Sequence, residues 1–361
     1  MIRIDAKALE TYVAEIFAAI GCPDEEAKAV GRYLTLSNLM GHDSHGVVRT
    51  IVYTRWFEEG KLFPGQAPKI ISETPVLAVI DGRRGFGQTM GPFAARLGIE
   101  KCKAMGLSAI SLRDSGHVGR IGDFAEMAAQ EGLVSIHFVT AHSTILTAPF
   151  GGVERRFSTA PYCVGVPRAG AEPIILDFST SMVAEGKCLV ASYGGKALPH
   201  DALVTPEGEM SSDPFQVYGP TARGDGARDY KQGKCAIRAF GEHKGSGLAL
   251  ICELLGGSLT GTGATQEGKL FANGMFSLYV DPARMDVTNF FDDDVKRYVD
   301  FVKSAKPMKG VDEVLAPGEP ERLSRAERLK SGVPLPQDAW EAIKATARKY
   351  GVPDARAPKP M

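Results

Sequence analysis

The hydrophobic pattern changes twice along the chain, and this change constrains the fold more than any other feature. The first 65 residues show helical spacing, with Asp5 as an N-cap, Pro23-Asp24 opening a second helix and a third expected from Ser44 to Gly60. Helical spacing returns after Pro282. Between these ends, short apolar runs bounded by glycine or proline predict strands at 76–80, 107–112, 133–139, 163–166, 174–176 and 276–280. Helices expected at 92–105, 121–131, 181–193 and 244–259 separate some of these strands, so the body is predicted to be α/β.

Length and charge limit the domain count and the partners. The 361 residues exceed the size at which one core stops growing, about 250–300 residues, so two lobes or one domain with a helical cap are expected. The 42 Lys and Arg and the 43 Asp and Glu are interspersed and leave a net charge of −1. Such a balance provides no basic field for nucleic acid or an anionic membrane. A single local arginine could still bind a small anion.

The sequence also indicates a compartment. No apolar run approaches the 18–20 residues of a membrane span, and the first twenty residues contain three acids and no apolar signal-peptide core. The six cysteines are scattered, without a C-x-x-C pair or zinc spacing, which is typical of reduced thiols. A soluble, cytoplasmic protein is therefore expected.

A glycine triplet gives a weak signal for dinucleotide binding. Gly85, Gly87 and Gly91 follow an apolar strand and precede a helix. Their spacing is one residue longer than the G-x-G-x-x-G of a Rossmann phosphate loop. A structural turn is the preferred interpretation.

The densest polar cluster is G-H-D-S-H-G-V-V-R at 41–49. If this segment begins a helix, His45 and Arg49 are four residues apart and share a face. Arginine can bind a carboxylate through two parallel hydrogen bonds, and a neighbouring histidine can exchange a hydroxyl proton. These two residues are predicted to be functional, whereas His42 and Asp43 are interpreted as helix caps. No third ligand lies near His42-x-x-His45, so no metal site is predicted.

Three further polar segments follow a strand or open a helix. His117 lies in S-G-H-V-G-R-I-G at 115–122, where glycines permit close approach of a ligand and a helix start favours phosphate. His243 and Lys244 open an apolar helix and could contact a pyrophosphate. Asp177 begins D-F-S-T-S at 177–181, which could hold a ribose or cap a helix. Taken singly, each segment fits a structural role as well as a functional one.

Together and in this order, the segments resemble the malate/L-lactate dehydrogenase family, which also contains ureidoglycolate, sulfolactate and ketimine-reducing members. The shared motifs are G-H-x-S-H-G-x-x-R at 41–49, S-x-H-x-G at 115–119, L-D-x-x-T-S at 176–181, E-H-K-G at 242–245 and P-G-E-P-E at 317–321. The resemblance covers nearly the whole chain. Residues 116–122 and 135–139 are most similar to the hydroxycarboxylate dehydrogenase B branch.

The resemblance implies an α/β fold of a non-Rossmann, nicotinamide-binding type, with a largely antiparallel mixed sheet and a helical domain from both chain ends. The implied domains are an N-terminal helical domain at 1–72, a cofactor- and substrate-binding α/β domain at 73–300, and a C-terminal helical segment at 301–361 that packs on the first. It also implies a homodimer, NAD or NADP as cofactor, and a small anionic 2-hydroxy or 2-oxo acid as substrate.

Site residues are implied in the same way. The catalytic residues would be Ser44 and His45, which handle the proton, and His117 beside the nicotinamide. The substrate-binding residues would be Arg49, which binds the carboxylate, Thr159 and Lys187. The cofactor-binding residues would be Val118, Gly119, Arg120, Ile121, Asp177, Phe178, Ser179, His243, Lys244, Gly318 and Glu319.

Two departures from the family pattern bear on the chemistry. The family usually has G-T-N-P where this chain has S-T-A-P at 158–161, so the asparagine contact is missing. Ketimine-reducing relatives carry an aspartate at the position of Lys187, and the lysine favours C–O over C–N chemistry.

The sequence therefore predicts an NAD(P)-dependent oxidoreductase that moves a hydride between a nicotinamide and a 2-hydroxy acid/2-oxo acid pair. A cyclic ketimine reductase and a non-catalytic nucleotide-binding protein remain as alternatives. The particular hydroxy acid, the choice of NAD or NADP, and the histidine that handles the proton are left open.

Overall fold

The computed structural model describes residues 1–192, 196–219 and 229–361. Its helices are α1 (Ala6–Ala19), α2 (Asp24–Leu39), α3 (Arg49–Glu58), α4 (Gly87–Met105), α5 (Gly122–Gln130), α6 (Glu185–Ser192), α7 (Phe215–Tyr218), α8 (His243–Cys252), α9 (Pro282–Met285), α10 (Phe291–Lys303), α11 (Glu319–Ser331) and α12 (Gln337–Lys349). Its strands are β1 (Ile2–Ile4), β2 (Lys69–Glu73), β3 (Leu77–Asp81), β4 (Leu107–Ser115), β5 (Val134–Ala141), β6 (Thr147–Ala148), β7 (Pro161–Val166), β8 (Ile174–Ser179), β9 (Leu203–Val204), β10 (Met210–Ser211), β11 (Ala236–Arg238), β12 (Asn273–Val280) and β13 (Val333–Leu335).

Seven strands form the central sheet, in the order β2-β3-β4-β12-β5-β7-β8. Within this sheet β3 and β4 are parallel neighbours, and every other neighbouring pair is antiparallel. A Rossmann fold needs a mostly parallel sheet. The prediction of an α/β, non-Rossmann fold with a largely antiparallel mixed sheet is confirmed, and all six predicted strands are present.

The two faces of the central sheet are covered unequally. Helices α4 and α5 pack on one face, where Met275, Tyr279 and Cys163 are fully buried. Strand register aligns an apolar row on the opposite face: Leu77, Ala109, Leu278, Ile136, Val164 and Leu176. The two ends of this row, Leu77 and Leu176, are 48% and 37% exposed, and its middle is half-buried. The described chain therefore leaves part of an apolar sheet face open.

Both ends of the chain contribute to one apolar core. Residues of α1, such as Val13 and Phe17, share a buried cluster with Trp340 and Ile343 of α12. Strand β1 pairs antiparallel with β13, with Ile2 opposite Leu335. The helical ends thus meet beside the sheet.

The glycine triplet serves helix packing. Helix α4 starts at Gly87, five residues before the predicted start. A β-carbon on Gly87 would overlap the main-chain carbonyl of His117, and one on Gly91 would overlap the ring of Phe124. These glycines bring α4 against the segment that carries His117.

The prediction of one helix from Ser44 to Gly60 was wrong at its start. Residues Asp43–His45 form a single 3-10 turn, Gly46 is extended, and α3 begins only at Arg49. The cause is Asn38, whose side-chain oxygen accepts the N–H of Val47 over 2.8 Å in place of a helical carbonyl. Gly46 permits this contact because a β-carbon there would overlap the Asn38 side chain.

Helix α8 continues into a π-helical segment, Glu253–Leu259, within the helix predicted at 244–259. Gly256 in this segment approaches the main chain of β5 at 138–140. Of the helix predicted at 181–193, α6 forms the part from Glu185, and position 193 lies outside the described residues.

No helix in the described part of the chain has the length and hydropathy needed to cross a membrane.

Candidate active site

The segment 42–49 is anchored by side chains from α2 and α11. Asn38 donates to Asp43 over 2.7 Å, and Arg328 donates to the same carboxylate over 2.6 Å. His42 Nε2 lies 3.4 Å from Glu321 Oε1. The interpretation of His42 and Asp43 as structural is consistent with these contacts, although they join the segment to α11 rather than cap a helix.

This segment brings Ser44, His45 and Arg49 together without a continuous helix. Ser44 Oγ lies 3.0 Å from His45 Nδ1. Arg49 Nε donates to the carbonyl of Ser44 over 2.6 Å, so the guanidinium turns back along the segment. The other side of the guanidinium faces Glu185, whose Oε2 is 3.8 Å from Arg49 Nη2.

The start of α6 closes one side of this group. A β-carbon on Gly186 would overlap Ser44, so α6 lies directly against the serine. The hydroxyl of Tyr218 donates to Glu185 Oε1 over 2.8 Å and fixes that carboxylate. The next residue, Lys187, has an exposed side chain but lies near enough to contribute to the electrostatics at His45.

His117 reaches the same cleft from the end of β4. Its ring lies parallel to that of His45, with centroids 5.3 Å apart and planes inclined by 19°. Within residues 1–192, 196–219 and 229–361, neither His45 Nε2 nor His117 Nε2 has a hydrogen-bond partner. Both imidazoles can therefore offer Nε2 to one ligand.

Both histidines are uncharged at neutral pH. Burial lowers the pKa of His45 well below its usual range, and the charges of His117 and Arg49 lower it further. Burial, followed by the charge of Arg49, lowers the pKa of His117 in the same way. A neutral imidazole can accept a proton or donate a hydrogen bond, as proton exchange with a hydroxyl requires.

Aromatic and amide side chains that the sequence analysis missed complete the cleft. Tyr53 Oη lies 2.6 Å from His117 Nδ1, and Gln88 Nε2 donates to that hydroxyl over 3.1 Å. Phe271 stacks on Trp56 at 4.3 Å and lies 6.2 Å from the His117 ring. Tyr53 is four residues after Arg49 on α3, a spacing that could have indicated a shared face. Gln88 gave no comparable signal.

Residues 118–121 form an irregular loop that leads from His117 into α5. The N–H of Val118 donates to Asn273 Oδ1 over 2.9 Å, and the N–H of Gly122 donates to Asp177 Oδ2 over 2.7 Å. Between them, the N–H groups of residues 119–121 have no acceptor among the described residues. Unpaired N–H groups before a helix are the arrangement that binds phosphate groups. The loop therefore fits the phosphates of a nucleotide cofactor.

The Arg120 side chain is turned away from such a ligand. Its guanidinium is buried and donates to Asp123 over 2.6 Å and to Glu126 over 2.8 Å. Arg120 as a whole is 2% exposed, and its main-chain N–H has no acceptor among the described residues. Asp177 likewise acts here as an acceptor that fixes the start of α5.

The remaining predicted cofactor residues lie in two places. Phe178 packs edge-on against Phe240 at 5.2 Å, just before the start of α8, where His243 and Lys244 are exposed. Ser179 Oγ lies 3.1 Å from Ser181 Oγ.

Gly318 and Glu319, the N-cap and first residue of α11, follow a loop that docks on β8, where the N–H of Ile175 donates to the carbonyl of Pro317 over 3.1 Å. Glu319 Oε1 accepts from Lys303 over 2.5 Å, and its Oε2 accepts the N–H of Ala316. The Glu319 side chain is thus engaged in stabilising the loop.

A buried carboxylate holds the segment that carries Thr159. Glu253 accepts the N–H and the hydroxyl of Ser158 over 2.9 and 2.6 Å. Ser158 Oγ in turn accepts the N–H of Ala160 over 3.1 Å. Ala160, at the position of the family asparagine, is fully buried, so Ser158 and Glu253 fix this segment instead. Thr159 is half-buried, and its hydroxyl has no partner in the described part of the chain.

Comparisons with known proteins agree with this architecture. The family model described as malate/L-lactate dehydrogenase matches residues 4–344. Hydroxycarboxylate dehydrogenase B of Escherichia coli K12 is 36% identical over 358 residues, covering 98% of this chain and 95% of the relative. The structure of a candidate malate/lactate dehydrogenase from E. coli has a TM-score of 0.90 at 35% identity, covering 98% of this chain and 97% of that one.

A more distant structure, a Δ1-piperideine-2-carboxylate reductase from Pseudomonas syringae, has a TM-score of 0.78 at 25% identity, covering 96% of this chain and all of that one. The full-length sequence match and the shared fold give one conclusion: the chain belongs to the malate/L-lactate dehydrogenase family.

Proposed function

We propose that the protein transfers a hydride between a nicotinamide cofactor, NAD or NADP, and a small 2-hydroxy acid/2-oxo acid pair. The observation that carries the proposal is the convergence of Arg49 with two uncharged imidazoles, His45 and His117, in one cleft. Family membership supports the coarser statement that the chain is an oxidoreductase acting on CH–OH groups, because its relatives are hydroxy acid dehydrogenases.

Arg49 is the proposed carboxylate-binding group. Its Nε donates to the Ser44 carbonyl, and its Nη2 lies 3.8 Å from Glu185 Oε2, beyond hydrogen-bond distance, so both outer nitrogens can still donate to a ligand. A planar guanidinium fixes both the charge and the plane of a bound carboxylate. The C2 oxygen of such a ligand would then face the stacked imidazoles, one of which exchanges its proton.

The cofactor would lie along the loop after His117. The unpaired N–H groups at 119–121 would hold its phosphates, and its nicotinamide would supply or accept the hydride at C2 of the substrate. Phe178, Ser179, His243, Lys244, Gly318 and Glu319 stay proposed cofactor contacts, and Thr159 and Lys187 stay proposed substrate contacts.

Replacing the guanidinium tests the proposal most directly. Arg49→Ala should raise KM for the oxo acid about 30-fold or more, since loss of one member of a buried charge pair costs about 2–5 kcal/mol. It should also lower kcat if the substrate loses its orientation. Arg55→Ala, at a mostly exposed arginine of the same helix, is the matched control. Steady-state kinetics of Arg49→Ala that match those of Arg55→Ala would contradict carboxylate binding by Arg49.

A substrate panel separates this reaction from its alternatives. 2-Oxo acids, with and without amine, and a cyclic imino acid should each be assayed with NADH and with NADPH. Turnover of 2-oxo acids without amine is expected. Turnover of the cyclic imine alone would assign a ketimine reductase instead. Quenching of NADH fluorescence without turnover of any substrate would indicate a non-catalytic nucleotide-binding protein.

We also propose a homodimer. A sheet in an α/β domain is normally covered on both faces, and here the row that runs from Leu77 through Leu278 to Leu176 is only partly covered. A second copy placed on this face would bury it. Leu278→Asp should shift the protein to a monomer in light scattering, whereas Leu323→Asp, at an exposed leucine of α11, should not. A dimer that persists in Leu278→Asp would exclude this face as the interface.

The division into domains at 1–72, 73–300 and 301–361 is retained as a proposal. It is supported by the buried cluster that joins Val13 of the first segment with Trp340 of the last. Limited proteolysis should leave the first and last segments associated after a cut between them and the sheet. Their separation on gel filtration would argue against a shared helical domain.

A cytoplasmic location is proposed as well. All six cysteines are free and buried thiols, which is usual in a reducing compartment. Fractionation of the producing cells should place the protein with cytoplasmic enzymes, and recovery outside that fraction would contradict the assignment.

A further inference from the structure

A buried chain of two polar side chains lies behind the His117 ring. The Tyr53 hydroxyl is 2.6 Å from His117 Nδ1, and Gln88 Nε2 donates to the same hydroxyl over 3.1 Å. Tyr53 and Gln88 are 1% and 2% exposed, so the chain is shielded from solvent. Neither residue belongs to one of the polar motifs in the sequence.

The direction of this chain follows from the donor inventory of its members. Gln88 Nε2 also donates to the main-chain carbonyl of His117 over 3.3 Å, and only the nitrogen of the amide can do so. Tyr53 Oη therefore accepts from Gln88 and must send its own proton elsewhere. Among the described residues, its remaining neighbour at hydrogen-bond distance is His117 Nδ1. Burial raises the pKa of Tyr53 to about 12, so the phenol retains this proton at neutral pH.

A neutral imidazole that accepts at Nδ1 carries its proton on Nε2. We propose that Tyr53, oriented by Gln88, holds His117 in the Nε2–H form, so that His117 donates a hydrogen bond to the C2 oxygen of the substrate while His45 exchanges the proton. This division of roles rests on the proposed hydroxy acid chemistry. Tyr53 and Gln88 are positioning residues, because they act through His117.

The hydrogen-bond partner of Nδ1 differs between His45 and His117. Its Nδ1 lies 3.0 Å from Ser44 Oγ, and this hydroxyl has no second donor among the described residues to fix its direction. Ser44 can therefore donate to neutral His45 or accept from protonated His45. His45 can carry its proton on either nitrogen or on both, as proton exchange requires.

The roles give a balanced reaction. In reduction, C2 of the oxo acid receives the hydride that a bound reduced nicotinamide supplies, and the C2 oxygen receives the proton of protonated His45. The products are the 2-hydroxy acid, the oxidised nicotinamide and neutral His45. His117 gains and loses no proton. Its Nε2–H stabilises the negative charge that develops on the C2 oxygen.

The tautomer can be measured without turnover, from the ring ¹⁵N shifts of His117 in the full chain, assigned with His117→Gln. The expected result is an unprotonated Nδ1 and a protonated Nε2, and Tyr53→Phe should relax this to a mixture. Tyr12→Phe removes a hydroxyl from another buried tyrosine, one without a polar partner in the described chain, and should change nothing. Protonated Nδ1 in the wild type, or an unchanged tautomer in Tyr53→Phe, would overturn the proposal.

Kinetics test the division of roles. Tyr53→Phe should lower kcat for oxo acid reduction about 10-fold or more with a smaller change in KM, as for other groups that orient a catalytic side chain. Gln88→Met keeps the phenol and should show the same effects to a smaller degree, which covers the case that Tyr53→Phe fails to fold. The pH midpoint of reduction should disappear in His45→Gln and persist in His117→Gln. The reverse pattern would assign the proton to His117.

The two proposals can fail separately. An Nε2–H tautomer in a protein that turns over no 2-oxo acid would reject the proposed function and retain the positioning of His117. An Nδ1–H tautomer in an active dehydrogenase would reject the positioning alone.

Discussion

The two segments that carry the histidines of the candidate site are held in different ways. The segment with His45 is anchored by long side chains, since Asn38 and Arg328 both bind Asp43. The segment with His117 is anchored through its main chain. Gly87 lies against the His117 carbonyl, and the N–H groups of residues 118 and 122 each donate to a fixed side chain.

The two kinds of anchor should differ in how well they tolerate substitutions. Side-chain anchors can shift by several tenths of an ångström through rotamer changes, so their loss should loosen a segment gradually. Close packing of main chain on main chain has no such freedom, and one added atom must displace a whole element. The His117 segment should therefore be sensitive to volume added at Gly87, and the His45 segment to loss of the hydrogen bonds that Asn38 and Arg328 make with it.

The largest effect is expected for Gly87→Ala. Its methyl group would overlap the His117 carbonyl, so α4 and the His117 loop must separate, at a cost of about 3 kcal/mol. Oxo acid reduction should fall with it, because Gln88 moves with Gly87. Urea unfolding and kinetics provide the measurements. Gly247→Ala, where the added carbon meets no atom within 4 Å, should change stability by less than about 1 kcal/mol. Equal costs for the two variants would refute main-chain anchoring of this segment.

A smaller effect is expected for Asn38→Ala. It leaves the Val47 N–H without its acceptor, removes one of the donors to Asp43, which keeps Arg328, and should destabilise the fold by about 2 kcal/mol. KM for the substrate should rise more than kcat falls, because the loosened segment carries Arg49. Ser37→Ala removes only a hydrogen bond within α2 and is the control. A kcat loss without a KM change would show that the segment does not position Arg49.

The smallest effect concerns pH and should be the same for both segments. Folded His45 and His117 have a pKa below the unfolded value of about 6.5, so the unfolded chain binds more protons once pH falls below that value. Stability is therefore complete above pH 6.5 and falls below it, by up to about 1 kcal/mol per histidine between pH 7.5 and 6. His45→Gln and His117→Gln should each reduce this loss equally in urea unfolding. A reduction in only one variant would show that the two environments differ in burial.

The sequence predicted six of the seven strands of the central sheet, all except β2, and none of the shorter strands outside it. Runs such as 107–112 and 276–280 are long and apolar enough to be recognised as strands, and they correspond to β4 and β12. Strands β6, β9 and β10 contain two residues each, too few for any periodicity, and β1 and β13 acquire their pairing only from tertiary contact. The start of α3 was misplaced because Asn38, which belongs to the preceding helix α2, supplies the acceptor for Val47.

The sequence predicted those site residues whose type and polar motif indicate a chemical role. It missed those whose role depends on the packing of helices. Ser44, His45, Arg49 and His117 belong to polar motifs in loops, and the structure groups them. Tyr53 and Gln88 lie inside helices, and nothing in the local sequence distinguishes them from other helical residues. Their contacts with His117 form only when α3 and α4 pack against the His117 loop. Arg120 was predicted to line the cofactor, and this stays a prediction; the structure shows that its side chain is engaged by Asp123 and Glu126.

The stacking of His45 on His117 limits how many of the two imidazoles can be protonated at once. Two imidazolium ions at a centroid distance of 5.3 Å, beside Arg49, would repel each other strongly. At most one of the two imidazoles is therefore protonated to the imidazolium form at a time. In the proposed reaction, this pair would take up or release one proton in each turnover.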